Sequence, residues 1–293
     1  MRWWTYQKER FPIFQHGLLV LAFSSSAVAY SSLLCDVSPG WRSFLVAFVT
    51  VLLFFLQLRI ADEFKDAEED ARYRPYRAVP RGLVSLRELG VVFIVAAIAQ
   101  LFLTLWLDSR LLILLIVTWG YLALMSVEFF ARDWLKARPI TYLWTHMLIM
   151  PLVDLFATAC LWLPAHVVPD KLGLLFFLIA SFFNGIVIEI GRKLRQPEAE
   201  QEGVPTYSKL WGLKKASLVW GICMSVTAGF ALLASSHISF ILPVACMLIP
   251  LIVWAFITIL KFHQTSSKRF ELISGLWTLV LYLSLGLIPL FLS

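Results

Sequence analysis

Three aspartates stand four residues apart in the segment LRIADEFKDAEEDARYRPYRAVPRG, residues 58–82: Asp62, Asp66 and Asp70. On a continuous helix this spacing puts all three on one face, with about 6 Å of rise from each to the next. Three like charges on one face repel one another unless a cation compensates them. Hard carboxylate oxygens suit Mg²⁺, which keeps waters and bridges to substrate phosphates. Arg74, Arg77 and Arg81 follow and supply donors that match phosphate oxygens. Pro75 ends the helix and Gly82 permits a close turn. The competing reading is a solvated helix end neutralised by Lys65 and by Arg72 to Arg77. The strict spacing, the direct entry from an apolar run and the basic tail closed by Pro and Gly favour a metal–phosphate site.

The elements that must position these residues are set by composition. Of 293 residues 60% are hydrophobic and 15% charged, with 12 Trp and 23 Phe, and mean hydropathy is +0.79. Water-soluble domains carry about 25% charged residues, so a soluble surface cannot be built from this chain. Gly, Pro and Cys contents exclude disordered, collagen-like and disulfide-scaffold classes. An all-α integral membrane protein remains. A span needs about 20 apolar residues, and nine stretches qualify: 13–34, 42–61, 89–107, 110–130, 141–163, 171–190, 213–234, 238–260 and 271–292. The roughly 10-residue alternation of a membrane β-barrel is absent.

Charge orients the bundle. With the N-terminus and every second loop on one side, all Lys and Arg but Arg42, Arg110 and Lys171 fall there. Short basic loops stay cytoplasmic, which predicts a multi-pass protein of the cytoplasmic membrane with its N-terminus inside and C-terminus outside. The net charge of +6 follows from this asymmetry and argues for no nucleic-acid partner. Trp3 and Trp4 beside basic residues read as an interfacial anchor, and the first apolar run as an uncleaved span. Two cytoplasmic loops, 62–88 and 191–212, hold most of the charge. They follow the second and sixth spans, a spacing that suggests two four-helix units plus one final helix.

Few polar residues lie inside the spans. Asp154, in the middle of the fifth, costs at least a few kcal/mol there unless it faces a polar cavity, pairs or is protonated. The choices are cavity-facing function and a helix–helix hydrogen bond. His146, eight residues earlier, could line the same cavity or simply bond structurally. Gln57 and Asn184 sit near cytoplasmic span ends, and Asn184 faces the same side as Glu189 or bonds a neighbouring helix. His16, His166, His237 and His263 form no ligand-spaced cluster. Cys35, Cys160, Cys223 and Cys246 lack CxxC spacing and read as free thiols.

The run from Asp62 to Asp70, followed by Arg74-Pro75 and Pro80-Arg81-Gly82, resembles the first aspartate-rich motif of the UbiA superfamily of intramembrane prenyltransferases, N/D-x-x-x-D-x-x-x-D with a basic Arg-Pro segment ending in Gly. The resemblance implies one polytopic domain, residues 1–293, of nine helices around a central cavity, with loops 62–88 and 191–212 capping the active site. It implies Mg²⁺ on Asp62, Asp66 and Asp70, with Asp66 and Asp70 the leading ligands. It also implies diphosphate contacts from Arg74, Arg77 and Arg81; Asp154, by its place inside the fifth span, is the candidate catalytic residue within the cavity. The partners implied are a polyprenyl diphosphate and an aromatic or lipid acceptor. A second family motif is matched by Gly203-x-x-Thr206, but glutamates replace its aspartates. Glu189 and Glu198 would then form a second metal site, or that site is lost and Arg192, Lys193 and Arg195 grip phosphate directly. Asn184 and Thr206 would line the substrate site. Family members carry Tyr and Lys where Glu128 stands here, so Glu128 is either an i+4 salt bridge to Arg132 or an acceptor contact or base. The activity implied is Mg²⁺-assisted ionisation of the diphosphate and prenyl transfer. Alternatives are a membrane terpene cyclase, and a non-catalytic lipid or ion carrier on the same fold.

Overall fold

A computed structural model describes residues 1–262 and 265–292; His263 lies outside them. The described chain is helical throughout: α1 Arg2–Arg10, α2 Ile13–Cys35, α3 Trp41–Lys65, α4 Ala67–Tyr73, α5 Leu86–Leu107, α6 Leu111–Ser126, α7 Arg132–Lys136, α8 Pro139–Met147, α9 Ile149–Trp162, α10 Lys171–Arg192, α11 Tyr207–Trp211, α12 Leu213–Ser236, α13 Ile241–Leu260, α14 Ser267–Leu285 and α15 Leu287–Leu292. Among the described residues eight helical segments are long and apolar enough to cross a membrane, and α6 is a shorter ninth. All nine fall where hydropathy places them.

The surface of α5 shows why the protein is a membrane protein. Val91, Ile94, Val95, Ile98, Phe102 and Leu105 point outward, while Ala96, Gln100 and Thr104 are buried. Apolar side chains cover the outside and small or polar ones the inside, the packing that helices adopt in lipid. Gln100 is satisfied there, donating to the Thr50 carbonyl at 3.1 Å and accepting from the Trp119 indole at 2.8 Å. At its start α5 has a capping box: the Glu88 amide donates to Ser85 Oγ, and the Ser85 amide to Glu88 Oε2.

The chain divides into two compact units, Met1–Val28 with Pro39–His166, and Ala29–Ser38 with Val167–Ser293. In the first, α3 packs on α5, α6 and α9; in the second, α10 packs on α12 and α14. Apart from α1 and α2, each unit runs as a long helix, a charged loop with a short helix, and three further spans. The boundary at Val28 divides the first span, α2, between the units, so the span left over from the two sets of four is the first and not the expected final helix. The last span of each unit breaks three residues before a proline, at Leu148 ahead of Pro151 and at Gly286 ahead of Pro289. Proline has no amide to donate and its ring crowds the carbonyl four residues back, so both breaks have one cause. In the second unit the buried Tyr30 hydroxyl donates to the carbonyls of Gly173 (2.9 Å) and Ala234 (3.0 Å).

Candidate active site

Asp62 lies in the last turn of α3, Asp66 at the junction and Asp70 in α4. The amide of Asp66 donates to the Asp62 carbonyl at 2.9 Å, and that of Asp70 to the Asp66 carbonyl at 2.8 Å. The four-residue rhythm therefore survives in the backbone. The expected single helix does not, because Asp66 leaves helical geometry at φ −95°, ψ 6° and α4 starts anew.

That bend gives the three carboxylates different surroundings. Asp62 is the most open, near Lys65 (3.7 Å) and Arg59 (3.9 Å). Asp70 is buried and held by Arg77, which donates to Oδ2 at 2.7 Å. Arg74 lies 2.7 Å from Oδ1 as an ion pair, off the hydrogen-bond direction. Arg10 approaches to 3.8 Å. Among the described residues Asp66 makes no close ion pair or hydrogen bond through its carboxylate. Burial pushes its acid above the usual carboxylate range; Lys65 opposes this, and Asp62, Asp70 and Glu69 add to it.

Asp66 thus has the chemistry of a cation ligand: a half-buried carboxylate among like charges. Among the described residues no three His, Cys, Asp or Glu side chains converge into a complete metal cage. Mg²⁺ needs none, since one or two carboxylates with waters and substrate phosphates suffice. Asp62 and Asp66 fit that donor set, and Asp70 as placed here serves the arginines. Arg81, expected beside them, donates to the Tyr76 carbonyl and pairs with Glu9, both at 2.9 Å.

Two features of this unit escaped the sequence, a buried acid and the partners of Glu128. Glu63 is buried on α3 and paired with Arg10 at 2.5 Å and Arg59 at 3.5 Å. It extends the buried line Gln57, Ile60, Glu63, a three-residue rhythm that could have flagged it. The second is a polar cluster on Glu128. Lys65 Nζ donates to the Tyr142 hydroxyl at 2.9 Å, which donates to Glu128 Oε1 at 3.1 Å. Lys65 itself lies 3.5 Å from Oε1, and His146 Nε2 lies 3.3 Å from Oε2. Glu128 does not take the expected i+4 partner; Arg132 stands near Glu69 instead. The reason is local: α6 ends at Ser126, and Glu128, Phe129 and Phe130 turn left-handed with φ of 51°, 52° and 57°. Asp154 is fully buried in α9. His146, eight residues earlier and on the other side of Leu148, bonds the Tyr142 carbonyl through Nδ1.

In the second unit both carboxylate oxygens of Glu189 are engaged, Oε2 by Arg192 and Oε1 by Lys193, each at 2.7 Å. Glu198 is exposed on a short 3₁₀ turn. Thr206 caps α11, accepting from the Lys209 amide and donating to Glu200 at 2.6 Å. Asn184 Oδ1 accepts from Thr278 at 3.1 Å, an interhelical bond within the unit. Gln57 likewise donates to the Phe93 carbonyl.

The site is thus an aspartate- and arginine-rich segment into which α3, the second long helix of an all-helical membrane protein, opens. Residues 19–280 match the model of the UbiA prenyltransferase family, and the chain belongs to that family. A UbiA homologue from Aeropyrum pernix K1, solved in its apo form, is similar at TM-score 0.72 and 10% identity, over 92% of this chain and 96% of that one. A UbiA homologue from Archaeoglobus fulgidus bound to DMAPP and Mg²⁺ is similar at TM-score 0.56 and 12% identity, over 93% and 97%. At such identities the likeness is one of fold. No curated protein matches the sequence.

Proposed function

We propose that this protein transfers a prenyl group from a polyprenyl diphosphate to an aromatic or lipid acceptor, by ionising the diphosphate at the cytoplasmic end of α3. The observation that carries the reading is the Asp66 carboxylate, half-buried beside Asp62, Glu69 and Asp70, with Lys65 the cation that opposes the rise of its pKa. Family membership and the DMAPP and Mg²⁺ bound to the Archaeoglobus homologue support it. The N-terminus and the loops that carry most of the basic residues are assigned to the cytoplasm.

Asp62 and Asp66 would hold Mg²⁺, with Asp70 joining them if its arginines turn to the diphosphate. The ion would neutralise charge on the departing diphosphate. Arg74 and Arg77, already gathered round one anionic group, present fork-shaped donors to phosphate oxygens, and Arg81 extends the basic edge. These donors act where negative charge develops as the allylic C–O bond breaks and its electron pair leaves with the diphosphate. The acceptor then forms a bond to the allylic carbon and gives up a proton. Glu128 is a candidate to receive it, and Asp154 a candidate to face the hydrocarbon part of the substrate. Within the second unit Arg192 and Lys193 are assigned phosphate contacts, with Glu189 their counter-ion in the resting state. Asn184, Glu198 and Thr206 are assigned lesser places there.

The test is purified protein in lipid nanodiscs with Mg²⁺ and prenyl diphosphates of several lengths, followed for diphosphate release and lipid products. Release with an acceptor adduct supports transfer. Release with a cyclic hydrocarbon replaces it with a cyclase, and no Mg²⁺-dependent turnover across the panel replaces it with a carrier.

A further inference from the structure

Arg10, the last residue of α1, reaches both sides of the bend at Asp66. Its Nε lies 2.5 Å from Glu63 Oε1, on α3 before the bend, and its Nη2 lies 3.8 Å from Asp70 Oδ2, on α4 after it. The three side chains are 9%, 1% and 3% exposed. A guanidinium is always charged and offers donors in a rigid fork, so one buried group can fix two carboxylates at once.

The helix that brings Arg10 there is tied to the same segment along its length. Tyr6 is buried in a cluster with Ile60, Ala78, Val84 and Leu89, which come from α3, the loop after α4 and α5. Glu9 pairs with Arg81 at 2.9 Å, and Arg2 with Glu88 at 2.5 Å. Meanwhile α4 has seven residues, too few to hold a helix or its direction unaided. The amide of Asp66 bonds back to Asp62 and its carbonyl accepts from Asp70, so these two bonds meet at the bend without spanning it, and side-chain bridges then help to fix the direction of α4 relative to α3. Glu63 is a buried acid beside Asp62 whose carboxylate is already engaged by Arg10 and Arg59.

We infer that Arg10 is a positioning residue for the aspartate segment, and that α1 is a working part of the diphosphate site rather than only an anchor at the membrane surface. The inference rests on the proposed function. Metal and phosphate sites need their ligands held to within about 0.5 Å, and a shift of about 1 Å can cost about 10²-fold in rate. Arg10 sets the offset between Asp62 and Asp66 on one side and Asp70 with its arginines on the other.

The test uses the full chain in nanodiscs as wild type, Arg10→Ala, Arg10→Lys and Glu63→Gln. Readouts are Mg²⁺-dependent diphosphate release, resolved into kcat and KM, and hydrogen exchange of residues 66–73. A purely structural defect lowers the active fraction, hence kcat alone. A displaced site raises KM for the diphosphate and the Mg²⁺ needed for half-maximal rate. Arg10→Ala is expected to lose about 10²-fold in kcat/KM, with faster exchange at 66–73. Arg10→Lys, which keeps the charge but not the fork, recovers about ten-fold of that loss, and Glu63→Gln loses about ten-fold. Should Arg10→Ala fail to fold, Arg10→Lys and Glu63→Gln decide the matter by the same two measurements. Wild-type turnover with unchanged KM and exchange in the variants overturns the inference and leaves the proposed function standing. Absence of turnover in wild type overturns the proposed function, and exchange at 66–73 then decides the role of Arg10 alone: faster supports it, unchanged overturns it.

Discussion

Lys65 donates from Nζ to the hydroxyl of Tyr142 at 2.9 Å, so the residue just before Asp66 is tied to α8. Replacing Tyr142 with Phe keeps the ring and its stacking on His146 but removes this bond and the one to Glu128. Hydrogen bonds to charged groups are worth about 1.5–3 kcal/mol each. Part of this is recovered because Lys65 and Glu128 remain 3.5 Å apart. Tyr142→Phe is therefore expected to lower unfolding stability in detergent micelles by about 1–3 kcal/mol, and denaturant titration reads it. Unchanged stability would show that the bonds contribute nothing.

Glu128 adds a pH dependence. Burial pushes its carboxyl up, but the His146 imidazole 3.3 Å away and the charge of Lys65 outweigh that and hold it below its ordinary 4.5. An acid whose folded pKa is depressed stabilises the fold above its unfolded value and loses that contribution as pH falls through the folded one. The stability difference between wild type and Glu128→Gln is expected to be fullest above about pH 4.5 and to shrink below it. A difference that grows on acidification contradicts this account of the cluster.

The left-handed turn can be tested at Phe130, which is 84% exposed with φ 57°. A left-handed residue with a Cβ costs about 1–2 kcal/mol, and a β-branched one suffers most. Phe130→Gly is expected to leave stability unchanged or slightly raised, and Phe130→Val to lower it by about 1 kcal/mol or more relative to Gly. Equal stabilities would mean that the turn carries no strain.

What the sequence revealed and what it hid divide along physical lines. Spans were legible because hydropathy is a property of each segment on its own, and the aspartate spacing because it is local. One of the two readings of Glu128, a partner four residues on, holds only while the helix continues; three successive left-handed residues point it at Lys65 instead. Arg10 with Glu63 is 53 residues apart in the chain, and no local pattern encodes such a pairing. The bend at Asp66 has neither Gly nor Pro to mark it. The breaks at Leu148 and Gly286, by contrast, are announced by Pro151 and Pro289.

Pro151 yields a prediction of its own. Pro151→Ala restores an amide that can donate to the Met147 carbonyl and removes the ring clash, so α8 and α9 can join. Hydrogen exchange of residues 147–152 is expected to slow in the variant. Unchanged exchange would mean that tertiary packing, not proline, enforces the break.

The central claim is that Asp66 is a cation ligand for a diphosphate head group. The direct measurement is diphosphate release from a prenyl diphosphate as Mg²⁺ is titrated, comparing wild type with Asp66→Asn in nanodiscs. Asn keeps the size and removes the charge, so the variant is expected to insert and fold normally and to lose about 10²-fold or more in Mg²⁺-dependent rate. A variant that releases diphosphate as fast as wild type, at the same Mg²⁺ concentration, would contradict the account.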